Sequence, residues 1–299
     1  MLNKLLIAIV GPTAVGKTAV SLKLAAQFNT EILSADSRQF YREMEIGTAK
    51  PTGEELQKVS HHFINNLSIQ DDYNAGKYEK EALVCLSGLF KTHDKAILVG
   101  GSGLFVNALC EGFDELPDGN TELRVKYEDV LKNKGIEVIQ KELEEKDPAY
   151  YETVDKNNPR RLIRALEVIH QTGLPYSQFR KKEPKNRGFK TLKIGLDLEK
   201  EELKERINKR VDEMLVNGWL EECKELYKYR KLNALKTVGY TELFDFIVGK
   251  NDWNITVQNI KTNTWHYAKR QLTWFKKDSD IKWFSPDDLP AIMEYIAKA

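Results

Sequence analysis

An octet near the N-terminus has the residue types and spacing of a phosphate-binding loop. It reads Gly11-Pro12-Thr13-Ala14-Val15-Gly16-Lys17-Thr18 and fits the pattern G-x-x-x-x-G-K-[ST]. In such a loop the backbone N–H groups point at phosphate oxygens, the lysine adds a positive charge, and the threonine hydroxyl can hold Mg²⁺. The octet therefore predicts phosphate binding, with Thr18 as the metal ligand.

The segments on either side of the octet support this prediction. Residues 4–10 form a run of strand length that is apolar from Leu5 onward, and residues 19–26 carry apolar side chains at helical spacing. Strand, loop and helix follow one another in the order that a phosphate-binding loop requires. An ordinary glycine turn would leave the Lys17-Thr18 pair at the helix start without a reason.

Asp36 is the second candidate for chemistry. It follows the predicted second strand, residues 31–34, and ligands of open α/β sheets collect outside the carboxyl ends of strands. The strand at residues 95–99 ends in glycines and Ser102, where P-loop ATPases and GTPases normally carry an acid that helps to hold Mg²⁺. Asp36 is therefore interpreted as a proton acceptor for a substrate. The alternative is that Asp36 caps a following helix.

The composition is that of a folded, globular protein. Of 299 residues, 41% are apolar and 30% are charged. The apolar run at residues 5–10 is too short to span a membrane and no signal cleavage site follows it, so we expect a cytoplasmic protein without a membrane anchor. Three scattered cysteines, Cys85, Cys110 and Cys223, suggest neither a disulfide framework nor a zinc site.

The formal net charge of +1 hides a division along the sequence. Residues 111–155 contain 14 acidic and 6 basic residues, whereas residues 156–193 contain 11 basic and 2 acidic residues. A basic block of that density fits the phosphate backbone of a nucleic acid. Pairing of the two segments with each other on a solvated helical surface explains the charges equally well.

The order of the predicted elements indicates an α/β fold: a P-loop NTPase-like parallel sheet flanked by helices, with an inserted all-helical domain. Residues 114–189 are polar and helical, with helices expected at 121–131, 136–145 and 160–171, and residues 190–198 return to the sheet. We therefore expect a core of residues 1–113 and 190–299 around an inserted domain of residues 114–189. C-terminal helices are expected at residues 200–217, 220–229, 239–248 and 255–276.

Several motifs, spread over nearly the whole chain, resemble those of the bacterial tRNA dimethylallyltransferases. This family transfers an isoprenoid group to the exocyclic amine of the adenine 3' to the anticodon. Besides the octet, the motifs are Ser34-Ala35-Asp36-Ser37-Arg38-Gln39, Gly47-Thr48-Ala49-Lys50-Pro51, Leu98-Val99-Gly100-Gly101-Ser102-Gly103-Leu104, Asn158-Pro159-Arg160-Arg161-Leu162-Ile163-Arg164-Ala165-Leu166-Glu167, Val238-Gly239-Tyr240 and Lys269-Arg270-Gln271-Leu272-Thr273-Trp274. Ser102 departs from the threonine that the family often has, which keeps the hydroxyl and loses the β-branch.

The resemblance implies a role for each motif. The octet would hold dimethylallyl diphosphate, in preference to ATP, with Mg²⁺ on Thr18. Asp36 would be the general base, Ser102 would position the base or the diphosphate, and a flipped-out adenine and its neighbours would meet Asp36, Ser37, Arg38 and Gln39. The inserted domain would grip the anticodon stem-loop of tRNA. Its implied contacts are Arg124, Arg160, Arg161, Leu162, Ile163 and Arg164, and the chain is expected to act as a monomer.

Two other functions share part of the pattern. A small-molecule kinase of the nucleoside-monophosphate or shikimate type also uses a P-loop, an acid after the second strand and a glycine-rich end to a later strand. A non-catalytic, nucleotide-dependent RNA-binding switch needs an Mg²⁺-linked acid after residues 95–99, which the sequence lacks. The large insertion and the basic block favour the transferase over the kinase.

Overall fold

Parallel strands form a single sheet at the centre of the computed structural model, which describes residues 4–180 and 185–299. Within these residues the strands are β1 (Leu5–Val10), β2 (Ile32–Ser34), β3 (His61–His62), β4 (Lys95–Gly100), β5 (Lys190–Leu196) and β6 (Lys282–Phe284). Their order across the sheet is β3-β2-β4-β1-β5-β6. Because β1 pairs with both β4 and β5, its carboxyl end opens onto the middle of the sheet edge.

Helices make up most of the remaining regular structure. In chain order they are α1 (Lys17–Phe28), α2 (Gly53–Lys58), α3 (Ala75–Leu89), α4 (Gly103–Cys110), α5 (Thr121–Lys134), α6 (Ile136–Lys146), α7 (Pro148–Thr153), α8 (Pro159–Thr172), α9 (Lys200–Val216), α10 (Trp219–Leu226), α11 (Tyr240–Ile247), α12 (Trp253–Phe275) and α13 (Leu289–Ala297). This arrangement confirms the predicted α/β class with a parallel sheet and flanking helices. No helix of the described residues is long and apolar enough to cross a bilayer.

The main core packs the central strand against four helices. All six residues of β1 are buried, as a strand covered on both faces must be. Ile7 and Ile9 share one apolar cluster with Leu24 of α1, Ile207 of α9 and Ala268 of α12, and α13 adds Ile292 and Ile296. Full burial of one such side chain stabilises the fold by about 1.5–3 kcal/mol. The helices that later contribute side chains to the site are therefore anchored on β1.

The chain divides into two compact units, Met1–Glu111 with Asn186–Ala299, and Gly112–Lys185. The boundaries expected from the sequence lie after residues 113 and 189, whereas those of the two units lie after Glu111 and Lys185. Residues 186–189 stay with the first unit because the Arg187 guanidinium is buried there, bonded to Glu79 at 2.8 Å and to the Ala108 carbonyl at 2.5 Å.

The second unit has a core of its own. Tyr127, Ile139, Leu143, Leu162 and Leu166, from α5, α6 and α8, form one buried cluster. The sequence analysis missed α7, a six-residue helix whose start is marked by Pro148 and by the Asp147 side chain, which accepts from the Tyr150 N–H. It also missed β6 and α13 in the first unit, where short elements follow a polar segment.

Candidate active site

The phosphate loop connects β1 to α1 in the predicted way. The Lys17 ammonium donates to the carbonyls of Gly11 at 3.0 Å and Pro12 at 2.6 Å, which folds the side chain back over its own loop. Burial lowers the pKa of Lys17 to about 7; the Asp36 carboxylate opposes this shift and the Arg210 guanidinium adds to it. Burial thus destabilises the charged form of Lys17.

Gln271, on α12, connects the phosphate loop to the end of β4 through two hydrogen bonds. Its Oε1 accepts the Thr13 N–H at 2.8 Å, and its Nε2 donates to the Gly101 carbonyl at 2.9 Å. The side chain is buried, and the bond to Gly101 is buried with it, whereas the bond to Thr13 is partly buried. Sequence analysis placed Gln271 in a family motif without a role, because no local pattern links it to a loop about 260 residues away.

Helix α9 supplies positive charge to the phosphate side of the site. An open cavity of about 1150 Å³ is lined by Lys17 and Thr18 of the loop, Arg206 and Arg210 of α9, and Asp36. Burial lowers the pKa of Arg210, whereas the nearby Asp36 and Glu213 carboxylates raise it. A guanidinium keeps its proton in such surroundings, so Arg210 and Lys17 offer an anion-binding wall.

Asp36 stands at the carboxyl end of β2, as predicted. Its Oδ1 accepts the Arg38 N–H at 3.0 Å, and its own N–H donates to the Ser34 hydroxyl at 3.3 Å. The next regular element is only a 3-10 turn at Ile46–Thr48, so Asp36 caps no following helix. The local bonds instead hold the carboxylate in a turn that faces the cavity.

Asp36 also lines a second cavity. This space is bounded by Arg38, Gly47, Trp219 and Tyr267, together with Asp36. Thr13, Ala14, Asp36, Arg210 and Tyr267 line both cavities. The carboxylate of Asp36 therefore lies where the phosphate-side cavity and the second cavity adjoin.

Ser102 is joined to the turn that carries Asp36. The Ser37 N–H donates to the Ser102 hydroxyl at 3.1 Å, and that hydroxyl donates to the Ser37 hydroxyl at 3.1 Å. Burial raises the pKa of Tyr267, on α12, to about 12, and the neighbouring Ser102 hydroxyl opposes this shift. Tyr267 therefore stays protonated at neutral pH, and Ser102 is the link between the Asp36 turn and α12.

The end of β4 has no room for the acid that ATPases carry. A Cβ at Gly100 would lie 2.5 Å from the Ala35 carbonyl oxygen, because β4 and the Asp36 turn approach each other there. The carboxylates facing the phosphate-side cavity come instead from Asp36, Glu55 and Glu213. This placement agrees with the interpretation of Asp36 drawn from the sequence.

The donor set of the phosphate-side cavity is compatible with Mg²⁺. Among the described residues, no group of three or more His, Cys, Asp or Glu side chains could hold a metal ion. Mg²⁺ in phosphate sites, however, takes one or two protein oxygens and completes its shell with substrate phosphates and water. The Thr18 hydroxyl and the carboxylates that share its cavity are hard oxygen donors of that kind.

Two predicted nucleotide contacts are held by bonds inside the first unit. The Gln39 amide donates to the carbonyls of Thr48 and Ala49, and its oxygen accepts from the Ser34 hydroxyl. Arg38 donates to the Asn233 carbonyl at 3.2 Å and lines the second cavity. Gln39 thus stabilises the turn, while Arg38 borders the space next to Asp36.

The predicted tRNA contacts on α8 separate into two groups. Arg160 and Arg161 are exposed in the first turn of the helix. Leu162 and Ile163 are buried in the core of the second unit, and their contact with tRNA stays a prediction. Apolar residues at these positions fix the rotation of α8, so that the neighbouring arginines face solvent.

Other basic residues of the block are engaged internally. Glu167, fully buried, pairs with Arg164 at 3.0 Å and with Arg124 at 3.3 Å, and Arg164 also donates to the Pro117 carbonyl. In the first unit Lys193 is held between Glu111 and Asp278, each at 2.6 Å. Residues 181–184, which belong to the predicted block, lie outside the described residues. The basic block is therefore not a uniform surface.

Comparison with known proteins gives consistent matches. The sequence profile of the family described as IPP transferase matches residues 39–278. The tRNA dimethylallyltransferase of Christiangramia forsetii is 50% identical over 287 residues, covering 96% of this chain and 95% of the relative. The phosphate loop and Asp36 precede the matched profile, but the alignment with this relative spans nearly the full length of both chains.

Solved structures of similar fold are also transferases that act on tRNA. The tRNA isopentenylpyrophosphate transferase of Bacillus halodurans is 35% identical with a TM-score of 0.73, over 99% of this chain and 96% of that one. A eukaryotic dimethylallyltransferase acting on tRNA is 29% identical with a TM-score of 0.80, over 96% of this chain and 75% of that one.

Proposed function

This chain belongs to the IPP transferase family, and on that premise we propose that it transfers a dimethylallyl group from dimethylallyl diphosphate to the exocyclic amine of the adenine 3' to the anticodon of tRNA. It is an enzyme, a tRNA dimethylallyltransferase, as its relatives are named. The donor, the catalytic residues and the metal are our assignments from the geometry.

The observation that carries the proposal is the position of Asp36 between two adjoining cavities. One cavity has a phosphate loop, Lys17 and Arg210, which suit a diphosphate. The other is bordered by the aromatic side chains of Trp219 and Tyr267 and by the Arg38 guanidinium, which suit a flipped-out base. A transfer between a diphosphate ester and a base requires the two substrates to meet at such a junction.

Each residue of the site has a separate role in the proposed transfer. The adenine N6 attacks C1 of the allylic donor, the N6–C1 bond forms, and the C1–O bond to diphosphate breaks. Asp36 accepts the proton lost by N6, while Lys17, Arg210 and the loop N–H groups stabilise the charge on the departing diphosphate. Ser102, bonded to Ser37, keeps the Asp36 turn in register with β4.

Mg²⁺ is the proposed cofactor. Thr18 would be its protein ligand beside the diphosphate oxygens, and the ion would neutralise charge on the leaving group. The protein's own part is to place the Thr18 hydroxyl at the start of α1, in the same cavity as Lys17 and Arg210.

The second unit is proposed to bind the anticodon stem through α8. Arg160 and Arg161 lie in the first turn of that helix, where the helix dipole disfavours cations. Such placement costs about 0.3–1 kcal/mol per charge at an exposed site. Binding to RNA phosphates would explain why Arg160 and Arg161 occupy positions that the fold itself disfavours. Arg124 and Arg164, in contrast, form ion pairs with Glu167.

We further propose that the chain acts as a monomer.

The kinase and the nucleotide switch fit less well. Neither accounts for relatives of nearly full length that are named tRNA dimethylallyltransferase. A switch also needs a metal-linked acid at the end of β4, where the Ala35 carbonyl leaves no room for a side chain.

The proposal is tested by incubating the protein with Mg²⁺, isotopically labelled dimethylallyl diphosphate and an anticodon stem-loop RNA. We expect one dimethylallyl group on the adenine 3' to the anticodon, detected by mass analysis of nucleosides. The same RNA with that adenine replaced by guanine is the control. Phosphoryl transfer from ATP to a nucleoside monophosphate or shikimate, without prenylation, would instead establish the kinase.

A further inference from the structure

Glu222, on α10, is a carboxylate on which four hydrogen-bond donors converge. Its Oε2 accepts the N–H groups of Glu45 at 2.9 Å and Ile46 at 2.7 Å. Its Oε1 accepts the Gly47 N–H at 3.2 Å and the Tyr240 hydroxyl at 2.5 Å. Three consecutive backbone N–H groups on one carboxylate are the pattern that fixes an anion in a backbone concavity. Here the anion belongs to the protein itself.

The segment held by Glu222 leads directly to the site. The 3-10 turn Ile46–Thr48 presents Gly47 and Thr48 to the second cavity. Its last carbonyl, on Thr48, and the next one, on Ala49, accept from the Gln39 amide at 3.3 Å and 3.2 Å. Gln39 lies in the same turn as Asp36, and its backbone N–H donates to the Asp36 carbonyl at 3.1 Å. Hydrogen bonds at both ends of the short 46–49 segment therefore connect Glu222 to the turn of the residue proposed as the base.

The turn also packs against the wall of the cavity. A Cβ at Gly47 would lie 2.0 Å from the Trp219 indole nitrogen, so only glycine allows this approach. Trp219 begins the same helix that carries Glu222 and is 2% exposed. A shift of the 46–48 turn would therefore change the shape of the second cavity as well as the support of Gln39.

We propose that Glu222 is a positioning residue for the transfer reaction, acting through the 46–48 turn and Gln39 on Asp36. The inference rests on the proposed function for its catalytic consequence. Glu222 itself touches no substrate. It holds the 46–48 turn in the position where the Thr48 and Ala49 carbonyls accept from the Gln39 amide. Gln39 in turn stabilises the turn that places the Asp36 carboxylate at the junction of the cavities.

The chemistry requires a carboxylate at this position. Every converging partner is a donor, and an ionised carboxylate accepts at both oxygens. Glutamine would turn its NH₂ group toward one pair of these donors and leave them without an acceptor. Alanine would remove the acceptors and leave all four donors to find other partners.

The kinetic test compares Glu222→Gln and Glu222→Ala with Glu221→Gln, a neighbour on α10 whose side chain is 65% exposed. Active sites are first titrated with labelled donor, so that unfolded protein does not count. We expect kcat per active site to fall about 10-fold for Gln and about 100-fold for Ala, since a misplacement of about 1 Å costs ~10² in rate. The Kd of the donor should change less than about 3-fold, since the phosphate loop and its cations lie outside the 46–48 turn. Glu221→Gln should behave as wild type.

A second measurement, hydrogen exchange of backbone amides, does not depend on activity. In Glu222→Ala, peptides that contain residues 45–47 and residues 36–39 should exchange faster than in wild type, while the phosphate loop keeps its protection. Faster exchange at 45–47 alone, with kcat unchanged, would overturn the proposal. A parallel loss of kcat and donor affinity with global destabilisation would also overturn it, because Glu222 would then be a purely structural residue. If wild type transfers no dimethylallyl group, the proposed function fails, and the exchange data still test the link between the two turns.

Discussion

Two partly buried cations and one carboxylate set the chemistry of the phosphate-side cavity. Burial lowers the pKa values of both Lys17 and Arg210, and Asp36 opposes the shift in each case. The charged forms of these groups lack the solvation that they have in water. An anionic diphosphate interacts favourably with both cations and replaces the hydration that they lack. The unliganded site is therefore less stable than it would be without these charges, but it is preorganised to bind an anion.

The pKa of Lys17 predicts a pH dependence of donor binding. With a pKa of about 7, Lys17 is mostly neutral at pH 8 in the free protein. Bound diphosphate favours the ammonium, so binding above pH 7 takes up a proton, and affinity should fall by up to ~10-fold per pH unit between pH 7 and 9. Below about pH 6 Lys17 is already charged and contributes no pH dependence.

Calorimetry at pH 8 in two buffers of different ionisation enthalpy measures this proton directly. Wild type should take up nearly one proton per diphosphate bound, beyond the contribution of the ligand's own titration. Lys17→Met should lose that uptake, and Lys204→Met should keep it, because Lys204 is an exposed residue of α9 that does not line the phosphate-side cavity. Equal uptake by wild type and Lys17→Met would show that Lys17 is charged before the ligand arrives.

At the scale of elements, the site depends on helices that reach back to the phosphate loop. Gln271 joins α12 to Thr13 through a partly buried hydrogen bond and to Gly101 through a buried one. Replacing it with leucine keeps approximate volume and removes both bonds. Each buried group left without a partner costs about 1–3 kcal/mol.

Gln271→Leu should therefore lower the free energy of unfolding in urea and raise the KM for the donor, since Thr13 is part of the loop. Gln258→Leu is the matched control on the same helix, where the side chain is exposed and bonds to Thr262. Unchanged stability and KM in Gln271→Leu would mean that the Gln271 hydrogen bonds to Thr13 and Gly101 do not order the phosphate loop.

Local patterns predicted the elements that hold the site but not the contacts between them. The apolar run of β1, the octet and the start of α1 are contiguous, so their order alone indicated their structure. Asp36 could be placed because strand ends of a parallel sheet share one edge. The bonds of Gln271 to Thr13 and of Glu222 to Gly47 join residues far apart in sequence, and only the packing of α10 and α12 brings them together.

Burial explains the remaining differences from the sequence-based expectations. Leu162 and Ile163 lie in a motif with three arginines, and nothing in that motif separates a core position from a surface one until the helix period is combined with its neighbours. Arg187 and Lys193 raised the charge of the basic block, yet both are ion-paired inside the first unit. A count of charges does not reveal which of them are already neutralised.

At the scale of the whole molecule, a net charge of +1 leaves nucleic-acid binding to local surfaces. We propose that α8 is one of them, through Arg160 and Arg161. Removing either should reduce the slope of log K for stem-loop RNA against log salt by about one, because each phosphate contact releases about one counterion. Filter binding or fluorescence anisotropy over a series of salt concentrations measures the slope.

Two substitutions in the same unit serve as comparisons. Lys141→Ala, an exposed charge on α6, should leave the slope as in wild type. Arg164→Ala should mainly lower thermal stability, because it breaks the pair with buried Glu167. Slopes for Arg160→Ala and Arg161→Ala equal to that of wild type would remove α8 from the RNA contact surface.

The central claim is that Asp36 takes the proton of the adenine amine, and single-turnover transfer by Asp36→Asn tests it most directly. Asparagine keeps the shape and the bond to Arg38 but cannot accept a proton at neutral pH. The account predicts a rate lower by ~10² to 10⁴ with little change in thermal stability or in the Kd of either substrate. Near-normal transfer by a stably folded Asp36→Asn protein would contradict it.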